Sequence, residues 1–476
     1  MNPPQLSAGP AGTRQFLRLF TSVMLPMFLA AVDQTLLATA TPRIAQELGG
    51  LRDTSWIAVA YLLAAAATTP LYGRLGDRFG RREMLLVALS VFTVGSVACA
   101  AAQTLTMLVA ARVVQGLGAG GLMTLSQALI GELVTPRERA RFQGYFAAMF
   151  SLASIGGPVI GGFVVSHASW RWLFLANLPL GAVAAWRLYA LPSARGKIER
   201  RDQDLTGIVL FSGAIVSTLY WLTSAGHRFA WASAESMAWI AGSLTLAMVL
   251  LYHERRLPDP FLPLELLRRP AIGFCALTTA LFAASMFAMI FFLPIYLQLG
   301  HRTGAAASGA MLLPLTIGMA AGSMGSGRIL ARTGKPHWIP VCGMTIAASG
   351  LAMLGLLQAG PHGTTALGAM VGIGFGTVMP TMQVTVQTAA GRDRLGAATS
   401  IVSLSRSLGA ASGTALFGAL VFTLMPQTDT ARLSQDATLL PAEALLPAFH
   451  TAFLVIAVIA LLGAVAASRV PPMELR

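Results

Sequence analysis

The chain of 476 residues is 55% hydrophobic and only 11% charged, and its mean hydropathy is +0.67. This composition supplies too little polar surface to cover a water-soluble globule of that size. The net charge of +14 would suit a nucleic-acid-binding protein, but the cations form short groups between apolar runs, with no basic stripe and no interleaved aromatic residues. The sequence therefore predicts an all-α integral membrane protein that lies in a lipid bilayer and binds no nucleic acid.

Apolar runs of about 20 residues, the length that crosses a bilayer, recur along the whole chain. Each run is predicted to be a helix, because backbone amides cannot remain unpaired in lipid. The fourteen predicted spans lie at residues 17–40, 55–73, 84–102, 105–130, 144–167, 173–191, 206–225, 236–252, 271–298, 306–325, 338–358, 364–388, 396–424 and 449–468.

The distribution of Lys and Arg predicts the orientation in the membrane. With the N-terminus inside, most of the 33 cations fall on the inner side, and the outer loops hold only Arg43, Arg52, Arg171, Arg228, Arg302 and Arg432. This bias predicts a multi-pass protein with both termini in the cytoplasm, and hence an even number of spans.

Two halves of the chain are related in parallel. The string GRLGDRFGRR at 73–82 returns as GRILARTGKP at 327–336, and both copies lie between apolar runs. The copies follow the second and tenth spans, so two extra spans must separate two bundles of six, an organisation typical of a duplicated transporter. The predicted segments are a cytoplasmic tail 1–16, an N-terminal six-helix bundle 17–191, two inserted helices within 206–252 interpreted as a spacer, a C-terminal six-helix bundle 271–468 and a cytoplasmic tail 469–476.

The first basic loop is predicted to gate the inner side. Its key residues are Gly73, Asp77, Arg78, Gly80, Arg81 and Arg82. The glycines allow a tight turn, and the arginines hold the loop at the anionic inner leaflet. Asp77 is expected to lie against the positive N-terminus of a later helix, as a latch that breaks when the halves rock. Alternatively, the loop is a topology signal only. The second copy has Ala331 in place of Asp77, so the latch belongs to the N-terminal half.

Asp33 is the only carboxylate well inside a predicted span, and such an acid is costly and usually functional. Arg112 lies at a similar depth, about 10 Å from the outer end of its helix at 1.5 Å per residue. The two can pair or be occupied alternately, which would make proton binding depend on conformation. The alternative is a permanently ionised structural pair. Arg406 is a second embedded cation, whose partner the sequence does not identify.

The fifth span contains GGPVIGG, in which the following residues shape a deformable segment: Gly156, Gly157, Pro158, Gly161 and Gly162. Proline lacks the amide of a helical hydrogen bond, and glycine permits close approach of helices, so both a functional bend and simple packing fit this pattern. The string GLGAGG at 116–121 lies inside a span and is interpreted as helix packing, not as a dinucleotide site.

Aromatic, Met and Gln residues within the spans are candidates for the wall of a substrate pocket, and ordinary packing is the alternative for each. They are Tyr61, Gln115, Met123, Phe287, Phe291, Met311, Met382 and Gln383. A flexible Met- and Phe-rich cavity with one acid would accept bulky lipophilic cations. Cys99, Cys275 and Cys342 lack metal-ligand spacing and are predicted to be core residues. No catalytic, metal or cofactor motif is present, so an enzyme is not expected.

These motifs together resemble the major facilitator superfamily and, within it, the fourteen-span drug:proton antiporters. The similarity includes VDQTLLATATP at 32–42, the loop at 73–82, RVVQGLGAGG at 112–121, GGPVIGG at 156–162 and WRWLFLANLPLG at 170–181. The resemblance implies two pseudo-symmetric six-helix bundles, a protonatable Asp33 tuned by Arg112, and a fifth-helix motif that favours exchange. Unlike some relatives, the tenth span carries no second acid, which leaves transport of dications or of several protons unsupported.

The sequence therefore predicts an antiporter that expels lipophilic, often cationic compounds in exchange for protons. It is expected to act as a monomer, without a cofactor, driven by the proton gradient. A dedicated exporter of one endogenous metabolite, such as an antibiotic, siderophore or amino acid, is the main alternative. A proton-coupled importer is disfavoured by the fifth-helix motif.

Overall fold

The computed structural model describes residues 10–48, 55–191, 204–225, 228–257, 264–303, 305–357, 359–424 and 442–474, and this part of the chain is built from α-helices. The helices before the insertion are α1 Pro10–Leu48, α2 Ser55–Phe79, α3 Arg81–Ala100, α4 Leu105–Leu133, α5 Pro136–His167, α6 Arg171–Leu175 and α7 Asn177–Tyr189. The inserted helices are α8 Leu205–Ser224 and α9 Ala234–Glu254. Helix α1 thus begins inside the predicted tail 1–16.

The second half of the chain follows the insertion. Its helices are α10 Leu264–Arg268, α11 Pro270–Ile295, α12 Ala305–Ala310, α13 Leu313–Thr333, α14 Ile339–Leu356, α15 Pro361–Gly376, α16 Val378–Ala390, α17 Leu395–Leu424 and α18 Ala442–Ser468. A π-helical turn, Tyr296–Gly300, continues α11, and a short 3-10 turn, Arg392–Arg394, precedes α17.

Eleven helical segments among the described residues are long and apolar enough to cross a membrane. The predicted spans 144–167, 173–191 and 396–424 correspond to α5, to α6 with α7, and to α17, which are not among these eleven. The architecture is therefore an all-helical membrane bundle with eleven candidate spans in the described ranges.

Three predicted spans are each divided into two helices, at the junctions α6–α7, α12–α13 and α15–α16. Each second helix carries a proline among its first three residues: Pro179, Pro314 and Pro380. Proline has no amide hydrogen to donate to the preceding turn, and it is well tolerated at the start of a helix. The chain therefore ends one helix and begins another at these points.

The hydrophobic cores follow the two halves of the chain. Buried residues between Val23 and Leu191 form two clusters within α1–α7, and a larger cluster joins helices from α10 to α18. A further cluster packs α8 and α9 against the outside of both halves. In it, Phe211 and Ile215 of α8 lie with Leu63 of α2, and Leu408 of α17 packs against them.

The prediction that all three cysteines are core residues is wrong for Cys342. Cys99 and Cys275 are buried, whereas Cys342 is exposed on the surface of α14. Inside a membrane span, the outward face of a helix is as apolar as its core face, so composition alone cannot separate them.

Candidate functional site

Asp33 of α1 and Arg112 of α4 form an ion pair in the interior of the N-terminal half. Nη1 of Arg112 donates to Oδ2 of Asp33 over 2.5 Å. Only 3% of Asp33 and 1% of Arg112 is exposed. Since α1 and α4 are both helices of the N-terminal half, the pair lies within one half and not between the two.

Neutral polar side chains complete the environment of Asp33. Its Oδ1 accepts hydrogen bonds from Nε2 of Gln115 at 2.8 Å and from Nδ2 of Asn177 at 3.1 Å. The same two amides donate to Oγ of Ser96, at 2.8 and 3.2 Å. Hydrogen bonds to an ionised carboxylate are stronger than those between neutral groups. Asp33 is therefore bound by neutral side chains of α4 and α7, and Ser96 of α3 holds these two amides in place.

Arg112 has further partners. Its Nε donates to the backbone carbonyl of Ile57 at 3.1 Å, and Nη1 also donates to Oε1 of Gln115 at 2.5 Å. The guanidinium lies over the ring of Tyr61, 4.1 Å from its centre. The guanidinium is thus compensated by one carboxylate and lies against the ring face of Tyr61, and the ion pair joins α1 to α4.

Glycines bring the helices around this pair together. A Cβ on Gly95 of α3 would lie 2.5 Å from the backbone of Gln115, and one on Gly116 of α4 would lie 2.4 Å from the carbonyl of Tyr61. A Cβ on Gly118 would lie 2.4 Å from the amide of Phe92. The string GLGAGG therefore lies in close helix–helix contacts, where only glycine fits.

Asp77, at the end of α2, binds the N-terminus of α17 in the other half. Its Oδ1 accepts from the amide of Gly396 at 2.9 Å, and its Oδ2 accepts from the amide of Ala397 at 3.1 Å. Arg81 donates to Oδ1 at 2.6 Å and also binds Glu132 at 2.6 Å. A carboxylate at this position satisfies two of the amides that a helix N-terminus leaves unpaired, and it faces the positive end of the helix dipole.

The backbones of the two halves touch beside Asp77. A Cβ on Gly396 would lie 2.1 Å from the carbonyl oxygen of Gly73, so neither glycine leaves room for a side chain. Gly80 has a φ of 102°, and Gly334, at the matching position of the second copy, has a φ of 66°. Both glycines occupy backbone conformations that other residues rarely adopt.

The other loop arginines bind elsewhere. Arg82 donates to the backbone carbonyls of Leu188 and Tyr189 at 3.0 Å each, which ties the loop to the end of α7. The guanidinium of Arg78 lies over the ring of Phe79. In the second copy, Ala331 packs against a small apolar cluster near Leu330.

Further hydrogen bonds between the halves lie at the same end of the bundle as the basic loops. Oγ of Ser400 donates to the carbonyl of Thr69 at 3.1 Å, and Nε2 of Gln387 donates to the carbonyl of Gln127 at 3.2 Å. In this conformation the halves are therefore joined at the basic-loop side.

The segment 156–162 lies within the continuous helix α5. Gly157 packs against α1, because its Cβ would lie 2.1 Å from Oγ1 of Thr35, two residues after Asp33. Gly161 is buried, whereas nothing lies within 4 Å of a Cβ on Gly162, and one on Gly156 would meet only Ile160 of the same helix. The side chain of Pro158 lies outside the described residues.

The predicted pocket residues fall into two groups. Tyr61 and Gln115 are buried with the Asp33–Arg112 pair, and Met123 is half-buried in the same half. The others lie in the C-terminal half and are Phe287, Phe291, Met311, Met382 and Gln383. Of these, Phe291 is exposed, whereas Met382 and Gln383 are buried. A cavity of about 510 Å³ between α1, α5 and α7 is lined by none of these residues.

Asn177 and Ser96 are the site residues that sequence reasoning missed. Both are neutral, and neither type is unusual inside a membrane helix. The one available signal was the position of Asn177 in WRWLFLANLPLG. Within the described ranges, no group of three or more His, Cys, Asp and Glu side chains could hold a metal ion.

Comparison with known proteins identifies the chain at the level of a family. Residues 23–414 match the sequence profile of the Major Facilitator Superfamily. An uncharacterised MFS-type transporter of Mycobacterium tuberculosis is 33% identical over 427 residues, which are 89% of this chain and 62% of that protein. The chain thus spans about six-tenths of the length of that relative.

A second relative and a solved structure agree with this match. The multidrug transporter protein MdtP of Bacillus subtilis is 32% identical over 429 residues, covering 90% of this chain and 79% of MdtP. The crystallised proton:xylose symporter XylE superposes with a TM-score of 0.65 at 12% identity and covers 98% of each chain. At that identity the likeness shows a shared fold.

Proposed function

Because the chain belongs to the major facilitator superfamily, we propose that it is a proton-coupled multidrug efflux antiporter of the bacterial inner membrane. In this proposal it has fourteen spans, both termini lie in the cytoplasm, and it acts as a monomer. It exports lipophilic, often cationic compounds by alternating access and takes up protons in exchange. The similarity to the multidrug transporter protein MdtP supports export as the direction of transport and a wide range of substrates.

The observation that carries the proposal is the buried Asp33–Arg112 pair. A membrane-embedded acid is expensive to maintain and marks a proton or ion pathway in most membrane proteins. Its donors come from two other helices, α4 and α7, so a proton that binds Asp33 changes contacts across the N-terminal half. This is the property that coupling requires, because a ligand shifts a conformational equilibrium only through contacts that differ between the two states.

The Asp77 contact supports alternating access. It joins α2 to α17 at the basic-loop side, together with the Ser400–Thr69 contact. If that side is cytoplasmic, as the Lys and Arg distribution predicts, the described conformation is closed to the cytoplasm. Opening then requires the Asp77 contact to break.

Everted membrane vesicles test the function directly. In such vesicles the periplasmic face of the membrane faces the lumen. When the lumen is more acidic than the medium, the vesicles should accumulate lipophilic dyes, and a protonophore should abolish the uptake. Uptake of many unrelated lipophiles supports a multidrug exporter, whereas uptake of a single metabolite supports a dedicated exporter. Gradient-independent movement of every compound would contradict proton coupling.

A further inference from the structure

Arg406 is a cation in the interior of α17 that has no partner within the described ranges. It makes no hydrogen bond, ion pair or ring contact there. Arg112, by contrast, is compensated by Asp33, Gln115 and Tyr61. An uncompensated charge in a low-dielectric interior costs several kcal/mol. Retention of such a charge therefore calls for a group that arrives from outside the protein.

Arg406 lies on a side of α17 that packs against other helices. By the helical repeat, it shares a face with Thr399, seven residues earlier, and with Gly413, seven residues later. Thr399 is buried and accepts a hydrogen bond from Gln383 of α16, and Gly413 packs against the backbone of Ala284 in α11. Arg406 itself is half-buried, so the described helices do not fully enclose its side chain.

A second polar group without a partner lies on the neighbouring helix. Nε2 of Gln383 donates to Oγ1 of Thr399 at 3.1 Å, but its Oε1 is buried and accepts no hydrogen bond. Buried acceptors are nearly always satisfied in folded proteins. One face of α17 thus carries Arg406, a cation without a partner among the described residues, about two helical turns from Thr399, where Gln383 of α16 holds an unpaired acceptor.

Asp33 does not provide a free negative charge for cargo in this conformation. It is 3% exposed, lies in the other half, and is bound by Arg112, Gln115 and Asn177. A purely cationic cargo would therefore find no free counter-charge there, whereas an anionic group would find one at Arg406.

We propose that Arg406 and Gln383 form a cargo subsite that favours lipophilic organic acids, including zwitterions, which also carry an N–H or O–H donor. This inference rests on the proposed export function and replaces cationic compounds with lipophilic acids and zwitterions as the favoured cargo. The guanidinium binds a carboxylate through two parallel hydrogen bonds, and the carboxylate neutralises the buried cation. Oε1 of Gln383 accepts the donor of the cargo. The aromatic remainder of the cargo packs among apolar side chains of the C-terminal half.

Two matched probes test the acid preference in purified protein without a proton gradient. Dansylglycine carries a carboxylate and a sulfonamide N–H, and dansylglycinamide lacks only the charge. Wild type should bind the acid more tightly than the amide. Arg406→Met should weaken acid binding by about 10- to 100-fold, as expected for a lost charge-assisted contact, and change amide binding less than about twofold. Arg406→Lys should retain part of the preference.

A control and a stability measurement separate this role from a structural one. Arg469→Met removes the same charge from an exposed position after α18 and should leave both affinities unchanged. Arg406→Met should raise the melting temperature, because it removes an uncompensated charge, and dansylglycine should stabilise wild type but not the variant.

The outcomes distinguish this inference from the export function. Equal affinities for the two probes, no binding of either probe to wild type, or a lower melting temperature for Arg406→Met would overturn the subsite. Because binding is measured without a gradient, loss of gradient-driven uptake in vesicles would instead count against proton-coupled export.

Discussion

The carboxylate of Asp77 accepts a hydrogen bond of 2.9 Å from the backbone amide of Gly396, although 319 residues separate the two in the chain. This contact joins the end of α2 in one half to the start of α17 in the other. Because a negative charge at a helix N-terminus is favourable, it stabilises the conformation in which the halves meet at the basic-loop side.

Asp77→Asn should weaken that closure. The amide keeps one acceptor but loses the charge, a change of roughly 0.3–2 kcal/mol, or up to about 30-fold in the equilibrium. Alkylation of a cysteine at the buried position Ser400, in a background without the three native cysteines, should become faster. Glu132→Gln is the matched control, since Glu132 binds Arg81 and makes no hydrogen bond to α17 among the described residues. Equal alkylation rates in wild type and Asp77→Asn would show that Asp77 does not stabilise the closed side, and that the loop is a topology signal only.

Gly396→Ala should open the same side for a steric reason. The added methyl would lie 2.1 Å from the carbonyl oxygen of Gly73, which is backbone and cannot rotate away. We expect a larger rise in alkylation of the Ser400 cysteine than for Asp77→Asn. Gly325→Ala in α13 is the control, because nothing lies within 4 Å of its Cβ. Closure that survives Gly396→Ala would mean that the halves have a second stable arrangement there.

Asp33→Asn should abolish gradient-driven accumulation of substrate while the protein remains inserted. Asparagine is similar in shape and still accepts a hydrogen bond, but it cannot carry the proton. The measurement is dye uptake in everted vesicles, with membrane insertion checked by protease protection. Glu47→Gln is the control on the same helix, because Glu47 is exposed and pairs with Arg171. Undiminished accumulation by Asp33→Asn would exclude it as the coupling residue.

Asn177→Ala should lower gradient-driven dye uptake in everted vesicles without abolishing it. The variant loses the amide that donates to Oδ1 of Asp33 at 3.1 Å and to Oγ of Ser96 at 3.2 Å, so α7 no longer holds the site together. A hydrogen bond to a charged group contributes about 1.5–3 kcal/mol. Gln115→Ala removes the shorter contact of 2.8 Å to Asp33 and should lower uptake further. Unchanged uptake for both variants would show that these amides only pack.

Asp204 should anchor the inserted helices in a pH-dependent way. It caps α8, because its Oδ1 accepts a hydrogen bond of 2.8 Å from the amide of Gly207. The same oxygen lies 2.7 Å from Nε2 of His253. Burial raises the pKa of Asp204, but the hydrogen bonds from His253 and Gly207 outweigh burial and hold the pKa below its usual 3.8. Its contribution is therefore present at neutral pH and is lost as the pH falls through the lowered pKa.

Thermal unfolding in detergent checks this expectation. Asp204→Ala should cost about 0.5–2 kcal/mol at pH 7, the usual value of a helix cap. The difference from wild type should begin to shrink as the pH falls below the pKa of an unperturbed Asp, about 3.9, and should vanish once the pH is below the lowered pKa of Asp204 in the folded protein. Glu235→Ala removes an exposed acid from the same pair of helices and should have little effect at either pH. A pH-independent difference would assign the stability to packing alone.

Sequence reasoning identified Asp33, Arg112 and Asp77 because a charge in an apolar or basic context is conspicuous along the chain. It missed Asn177 and Ser96. Neutral polar residues are common in membrane helices, and burying one costs much less free energy than burying a charge, so they do not stand out in the sequence. The packing partners of Gly157 and Gly396 were also beyond its reach, because close approach is a property of two helices and not of either alone.

The sequence by itself determined the family, the helical character, the basic-loop repeat and the embedded charges, since each depends on hydropathy and charge along a continuous segment. Only the tertiary structure decided that Asp33 is bound from α4 and α7, that Asp77 meets Gly396, and that Arg406 has no partner among the described residues. The physical reason is that lipid penalises a lone charge wherever it lies, whereas compensation depends on which helices pack together. Packing is set by shape over hundreds of residues, and no local pattern records it.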